Sequence, residues 1–178
     1  MLDTERLTLI ALPEEHLRYL SAGYLKLEQY LGLRPSGFHM PPGFGEMFAE
    51  ALPHILESLA ADPGAYPWST HWMIVHTGTQ TAIGGIGLGG PPDDTGRTVV
   101  GYFVDTRYHN RGFASEALRR LLVWAFDQPN LLAVRAETLP EGVTSQRVLI
   151  RNGFNLIGNT SEGNLIWEKL RPDPTLIP

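Results

Sequence analysis

The chain has 178 residues, 43% of them hydrophobic and 19% charged, with a net charge of -5 and no cysteine. Such a chain suits one domain that buries about 70% of its unfolded surface. The missing cysteines exclude disulfides, thiolate metal sites and a cysteine nucleophile, and the negative charge without a basic run argues against a nucleic-acid partner.

Met1-Leu2-Asp3-Thr4-Glu5-Arg6 has neither the basic nor the apolar part of a signal segment, and no apolar run reaches membrane-spanning length. A cytoplasmic location without a membrane partner is therefore expected. Arg6 to Leu12 reads as a first strand stopped by Pro13, which suits the first position of a helix carrying Leu17, Leu20 and Tyr24. A short helix is expected over Leu25 to Leu31, then a loop from Gly32 to Gly43 with too much Gly and Pro for regular structure. Phe44 to Ala61 has helical spacing, with Pro53 expected to kink or split it. From Trp72 the period becomes two. Trp72–Val75, Thr81–Leu88 and Thr98–Val104 predict an antiparallel meander.

Gly101 to Val104 then runs through a tight loop into a helix with Ala114, Ala117, Leu118, Leu121, Leu122, Ala125 and Phe126 on one face. Leu131 to Thr138, after that crossover, should lie parallel to Thr98–Val104. A short helix from Ser145 to Asn152 is expected to stop at Gly153, followed by strands at Phe154–Gly158 and Leu165–Leu170. The tail, 170–178, is expected to be irregular. No repeat or linker divides the chain, so residues 1–178 are read as one α/β (α+β) domain.

The junction around His109-Asn110-Arg111-Gly112-Phe113-Ala114 carries the first chemical signal. A helix start leaves backbone N–H groups unpaired, with roughly half a positive charge from the helix dipole, and so accepts a phosphate without a lysine. Gly85-Ile86-Gly87-Leu88-Gly89-Gly90 formally fits GxGxxG, but these glycines lie in a predicted strand followed by a turn at Pro91-Pro92-Asp93-Asp94, not a helix. No GK[ST] follows a glycine loop, no Gly-x-Ser-x-Gly elbow is present, and the six histidines lack ligand spacing, so no metal is expected.

The segment from Gly101 to Phe126 resembles motif A of the GNAT acetyltransferases, whose loop reads (Gln/Arg)-x-x-Gly-x-(Gly/Ala). His109, Gly112 and Ala114 occupy its first, fourth and sixth places. Leu139 to Phe154 resembles the same family's Pro-Glu-Asn-x-Ala-Ser-x-Arg-Val-Leu-x-x-x-Gly-Phe segment. The resemblance spans Arg6 to about Leu170 and is nearest the branch acting on ribosomal proteins, protein N-termini and small amines. It implies the GNAT fold, a mixed, mostly antiparallel sheet of six to seven strands flanked by helices, splayed at a bulge between the fourth and fifth strands.

The resemblance further implies an acetyl-CoA-dependent N-acetyltransferase, without a metal, that moves acetyl to a primary amine by direct attack. The amine belongs to a small molecule or a peptide N-terminus, and paired homodimers are common among such proteins. Pantetheine would run along Tyr102, Phe103 and Val104, with the pyrophosphate on the amides of Asn110, Arg111, Gly112, Phe113, Ala114 and Ser115 behind His109. The oxyanion donor would be a backbone amide near Phe103. Ser145 matches the serine that protonates the thiolate, although Ser145 or Thr144 could instead cap the short helix. Two positions depart from the family. Val99 stands where many relatives carry a glutamate base, and Gly142 replaces an asparagine that helps hold the CoA arm. Glu137 and His71 remain as candidate bases, and Phe38, His39, Met40, Trp68 and His71 as candidate walls of the acceptor site. These departures also motivate a different reading, a catalytically weak or idle acyl-CoA-binding or sensor domain.

Overall fold

The computed structural model describes residues 1–38, 44–62, 64 and 66–173. Chain order is β1 (Leu2–Asp3), β2 (Leu7–Ala11), α1 (Glu14–Ser21), α2 (Tyr24–Tyr30), α3 (Phe44–Ala61), α4 (Tyr66–Ser69), β3 (His71–His76), β4 (Thr81–Leu88), β5 (Arg97–Val104), a 3-10 turn (Thr106–Tyr108), α5 (Phe113–Asp127), β6 (Ala133–Thr138), α6 (Val143–Arg151), β7 (Asn155–Asn159) and β8 (Leu165–Leu170). The strands form one sheet in the order β1-β2-β3-β4-β5-β6-β8-β7. Among the described residues only the β5–β6 pair is parallel, because α5 carries the chain back over the sheet. The sheet has eight strands rather than six or seven, since the two-residue β1 adds a short edge on β2.

Two apolar cores lie on opposite faces of this sheet. Phe113, Ala117, Leu118, Leu121 and Ala125 of α5 pack on Trp72, Ile74, Ile83, Ile86, Val100 and Val134. On the other face Leu17, Leu20, Tyr24 and Leu27 from α1 and α2 pack on Met73, Val75 and Ala82, joined by Leu59 of α3. Strand alternation puts odd-numbered residues of β3 and β5 toward α1 and α2, and even-numbered ones toward α5.

Three local expectations change. Helix α3 runs unbroken through Pro53, an exposed residue on the solvent side, where water can take the carbonyl that loses its N–H partner. Helix α6 begins at Val143 after an N-cap at Gly142 with no side-chain cap, so Ser145 lies inside the first turn and neither it nor Thr144 is the cap. The register shifts lie between Ile74 and Val75 in the β3–β4 ladder and between Leu156 and Gly158 in the β7–β8 ladder, whereas β5 pairs regularly with β4.

Candidate active site

Strands β5 and β6 pair only at Arg97↔Ala133, Thr98↔Val134 and Val99↔Arg135. Beyond Val99 they diverge, and β5 keeps only its β4 partner from Val100 to Val104. Gly89 N donates to Val99 O and Asp105 N to Ile83 O, so odd-numbered main-chain groups of β5 serve the sheet. Alternation then turns the main chain of Val100, Tyr102 and Val104 into the opening. Of the backbone amides around Phe103, those of Tyr102 and Val104 thus face the opening. Phe103 itself presents its ring to the α1–α2 face.

The loop after β5 is shaped by its dihedral angles. Asn110 and Gly112 have φ of 58° and 83°, and such left-handed steps turn successive N–H groups to one side. The first bond into α5 is Glu116 N to Gly112 O. None of the amides of Asn110 to Ser115 meets an acceptor among the described residues. His109 sits in this loop with Nε2 at 2.7 Å from Val104 O, so Nε2 carries the proton and the ring closes the loop on the strand end. The seat is therefore built from backbone amides at a helix start, the arrangement that accepts a phosphate.

On the α5 side of the opening, Tyr102 Oη lies 3.0 Å from Ser145 Oγ and donates to Ser145 O at 3.2 Å. Burial pushes the Tyr102 phenol up to about 12, against the pull of the Ser145 hydrogen bond, so it stays protonated at neutral pH. In the sequence Tyr102 is legible only as part of the strand edge. Its pairing with a residue 43 positions later depends on how α6 docks, which no local pattern reveals.

On the opposite face, His71 pairs with Gly87, which pairs with Gly101. Across the opening, Glu137 lies two residues beyond Arg135 on the same face and is exposed. His71 and Glu137 therefore flank a floor of two glycines, and a Cβ on Gly101 would meet nothing within 4 Å. His71 is buried, with Nε2 3.0 Å from Tyr24 Oη and its ring stacked on Phe103 at 5.8 Å. Burial holds its pKa down at about 4. Phe38 completes this wall, 4.7 Å from Tyr24 and 5.7 Å from Phe103. Trp68 does not belong to it. It packs on Trp124 at 5.0 Å in the core beneath α5, because the turn of α4 directs it to the other face. His39 and Met40 lie outside the described residues. Val99 is half exposed at the base of the opening, where a glutamate is absent.

Two tethers were not visible in the sequence. Buried Asp105 accepts from Arg107 N at 2.9 Å and from Arg107 Nε at 3.0 and 3.1 Å, and the same guanidinium donates to Ser36 O and Gly37 O at 3.0 and 3.2 Å. This clamps the stretch that carries Phe38 to the end of β5. We expect Arg107→Gln to speed hydrogen–deuterium exchange in residues 33–38 at least tenfold while β3 and β4 exchange as before, since each charge-assisted bond is worth about 1.5–3 kcal/mol. Unchanged exchange there would remove the clamp. The second tether joins Arg6 to Glu116, with Nε to Oε2 at 2.8 Å.

A splayed mixed sheet with an amide-lined helix start beside the open strand edge is the architecture that the resemblance to the GNAT acetyltransferases implied. The family model "Acetyltransferase (GNAT) domain" matches residues 6–155, and the chain belongs to that family. It is an N-acetyltransferase by that membership. The chain is 28% identical over 115 residues to the uncharacterized N-acetyltransferase YjdG of Bacillus subtilis, a match spanning 65% of this chain and 68% of that one. Among solved structures, ribosomal-protein-S5-alanine acetyltransferase from Vibrio fischeri superposes with a TM-score of 0.67 at 18% identity, covering 96% of each chain. The ribosomal L7/L12 alpha-N-protein acetyltransferase RimL, in complex with coenzyme A, superposes at 0.66 with 17% identity over 94% of this chain and 95% of that one. At these identities the structural likeness bears on the fold alone. Among the described residues no group of three or more His, Asp or Glu could hold a metal ion, and no helix is long and apolar enough to cross a membrane.

Proposed function

We propose that the opening between β5 and β6 takes acetyl-CoA and that the enzyme moves the acetyl group to a primary amine, of a peptide N-terminus or a small molecule, by direct attack. The observation that carries this reading is the run of six unpartnered amides, Asn110 to Ser115, next to the unpaired edge of β5. Bound there, acetyl-CoA supplies an acetyl thioester. The amide of Tyr102 or Val104 donates to the carbonyl oxygen as charge builds on it. The incoming amine lies over the Gly87–Gly101 floor, walled by Phe38, Phe103 and His71. Glu137 takes its proton through water, since Val99 offers no carboxylate. Ser145, sharing a hydrogen bond with Tyr102, holds a proton at Oγ for the departing sulfur.

Calorimetric titration of acetyl-CoA tests the seat, and absence of binding at millimolar ligand would sink the proposal. Release of free CoA in the presence of peptide N-termini and small amines tests transfer. Binding without any release would favour the idle acyl-CoA-binding domain that Val99 and Gly142 suggest. Ser145→Ala is expected to lower kcat about tenfold, less than the roughly hundredfold or more usual for a general acid, because a thiolate already leaves well. Tyr102→Phe should lower it less, and an undiminished kcat in Ser145→Ala would discharge Ser145 from the acid role.

A further inference from the structure

We propose that Arg6, on the approach to β2, is a positioning residue of the pyrophosphate seat: it turns the Arg111–Gly112 peptide so that its N–H faces the ligand, and it cancels the charge of Glu116. The inference rests on the acetyl-CoA reading above and adds a residue that touches neither the acyl group nor the amine.

Glu116 is a discordant element in this site. It is a carboxylate in the first turn of the helix whose start must receive a doubly charged pyrophosphate. A bare carboxylate there would repel the ligand with an energy comparable to what the helix dipole contributes. The chain surrounds it with donors. Arg6 Nε and a terminal nitrogen reach Oε2 at 2.8 and 2.5 Å, Arg6 N reaches Oε1 at 3.1 Å, and Thr4 Oγ1 reaches Oε1 at 2.6 Å. Burial acts to raise the Glu116 carboxyl, but these hydrogen bonds and the Arg6 charge outweigh it and hold the group below its usual range.

The remaining guanidinium nitrogen of Arg6 donates to Arg111 O at 3.2 Å. A trans peptide is planar, with its C=O and the following N–H pointing opposite ways. Drawing Arg111 O toward Arg6 therefore sends Gly112 N–H away from it, toward the seat. The guanidinium also lies over the Phe113 ring at 4.5 Å, which fixes it against the first helical residue. It lies alongside Gly112, where a Cβ would stand in ordinary contact, 3.5 Å from its terminal nitrogen. One side chain thus sets the direction of the loop carbonyl and neutralises the only acid in the first turn of α5.

The test is a cycle of full-length variants titrated calorimetrically with acetyl-CoA. Arg6→Ala should weaken binding at least tenfold, and Glu116→Gln alone no more than about threefold, because Arg6 still holds the loop carbonyl. In the double variant Arg6→Ala/Glu116→Gln the repulsion is gone, so at least half of the lost binding free energy should return. A scaffolding role alone would leave the double variant as weak as Arg6→Ala. Arg6→Lys, which keeps the charge without the fork, should bind between wild type and Arg6→Ala. Thermal melting of each variant separates lost folding from lost affinity. Unchanged affinity in folded Arg6→Ala, or a double variant no better than the single one, overturns the inference while leaving the seat intact. A wild type that does not bind acetyl-CoA overturns the seat and the inference together.

Discussion

Gly84→Ala should cost about 3 kcal/mol and lower the melting temperature by about 10 °C, the upper end for overpacking a tight core. A Cβ at Gly84 would press on the Phe103 carbonyl oxygen and stand 2.9 Å from Val104 Cα. Both are backbone atoms of β5, the strand whose far edge is already open, so relief requires moving β5 away from β4. Gly85→Ala meets a different obstacle. Its Cβ would run into His71 Cε1 and lie 2.9 Å from Phe103 Cε1, so side chains, not backbone, have to give way. Gly85→Ala is thus expected to cost less stability, about 1–2 kcal/mol, while disrupting the His71–Phe103 stack beside the Gly87–Gly101 floor. Urea titration of both variants checks the ranking. Equal stability losses would mean that the close approach at Gly84 is relaxed by some route the packing does not show.

This pair of glycines shows what was legible in the sequence. The run from Gly85 to Gly90 fits a dinucleotide pattern formally, and its context already pointed to a strand followed by a turn. What no pattern could supply was the partner, because Gly84 is crowded by Phe103 and Gly85 by His71, each more than ten positions away. The same division holds throughout. Period-two alternation located β3, β4 and β5, the amphipathic stripe located α5, and the loop from His109 to Ala114 was legible because its unpartnered amides are contiguous in the chain. Pairings between distant residues were not legible: Arg6 with Glu116, Arg107 with Ser36 and Gly37, Tyr102 with Ser145. Trp68 was misplaced for a related reason. An aromatic residue close in sequence to His71 can face either side of the sheet, and the four-residue helix α4 decides which.

His71 and Glu137 should separate cleanly once stability and rate are both followed against pH. Burial lowers the folded-state pKa of His71 to about 4, below the value of about 6.5 expected of an unfolded histidine. Between those values the unfolded chain binds the proton that the folded chain refuses. The stabilising contribution is therefore fully present above about pH 6.5 and is lost as the pH falls through 4. From pH 7 to pH 4.5 this group alone should remove about 2 kcal/mol, so His71→Gln, which titrates in neither state, should lose that much less stability than wild type over the same interval. An identical acid slope in the two proteins would contradict the burial of a neutral imidazole. The same low pKa bears on catalysis. A base that weak holds an ammonium proton poorly, and its Nε2 already faces Tyr24 Oη, which favours the proposed assignment of His71 as a wall and Glu137 as the base. Glu137→Gln is then expected to lower kcat/KM about a hundredfold, within the usual span for a general base, and His71→Gln only a few-fold through loosened packing. The reverse order would move the base to His71, across the Gly87–Gly101 floor from where the exposed carboxylate places it.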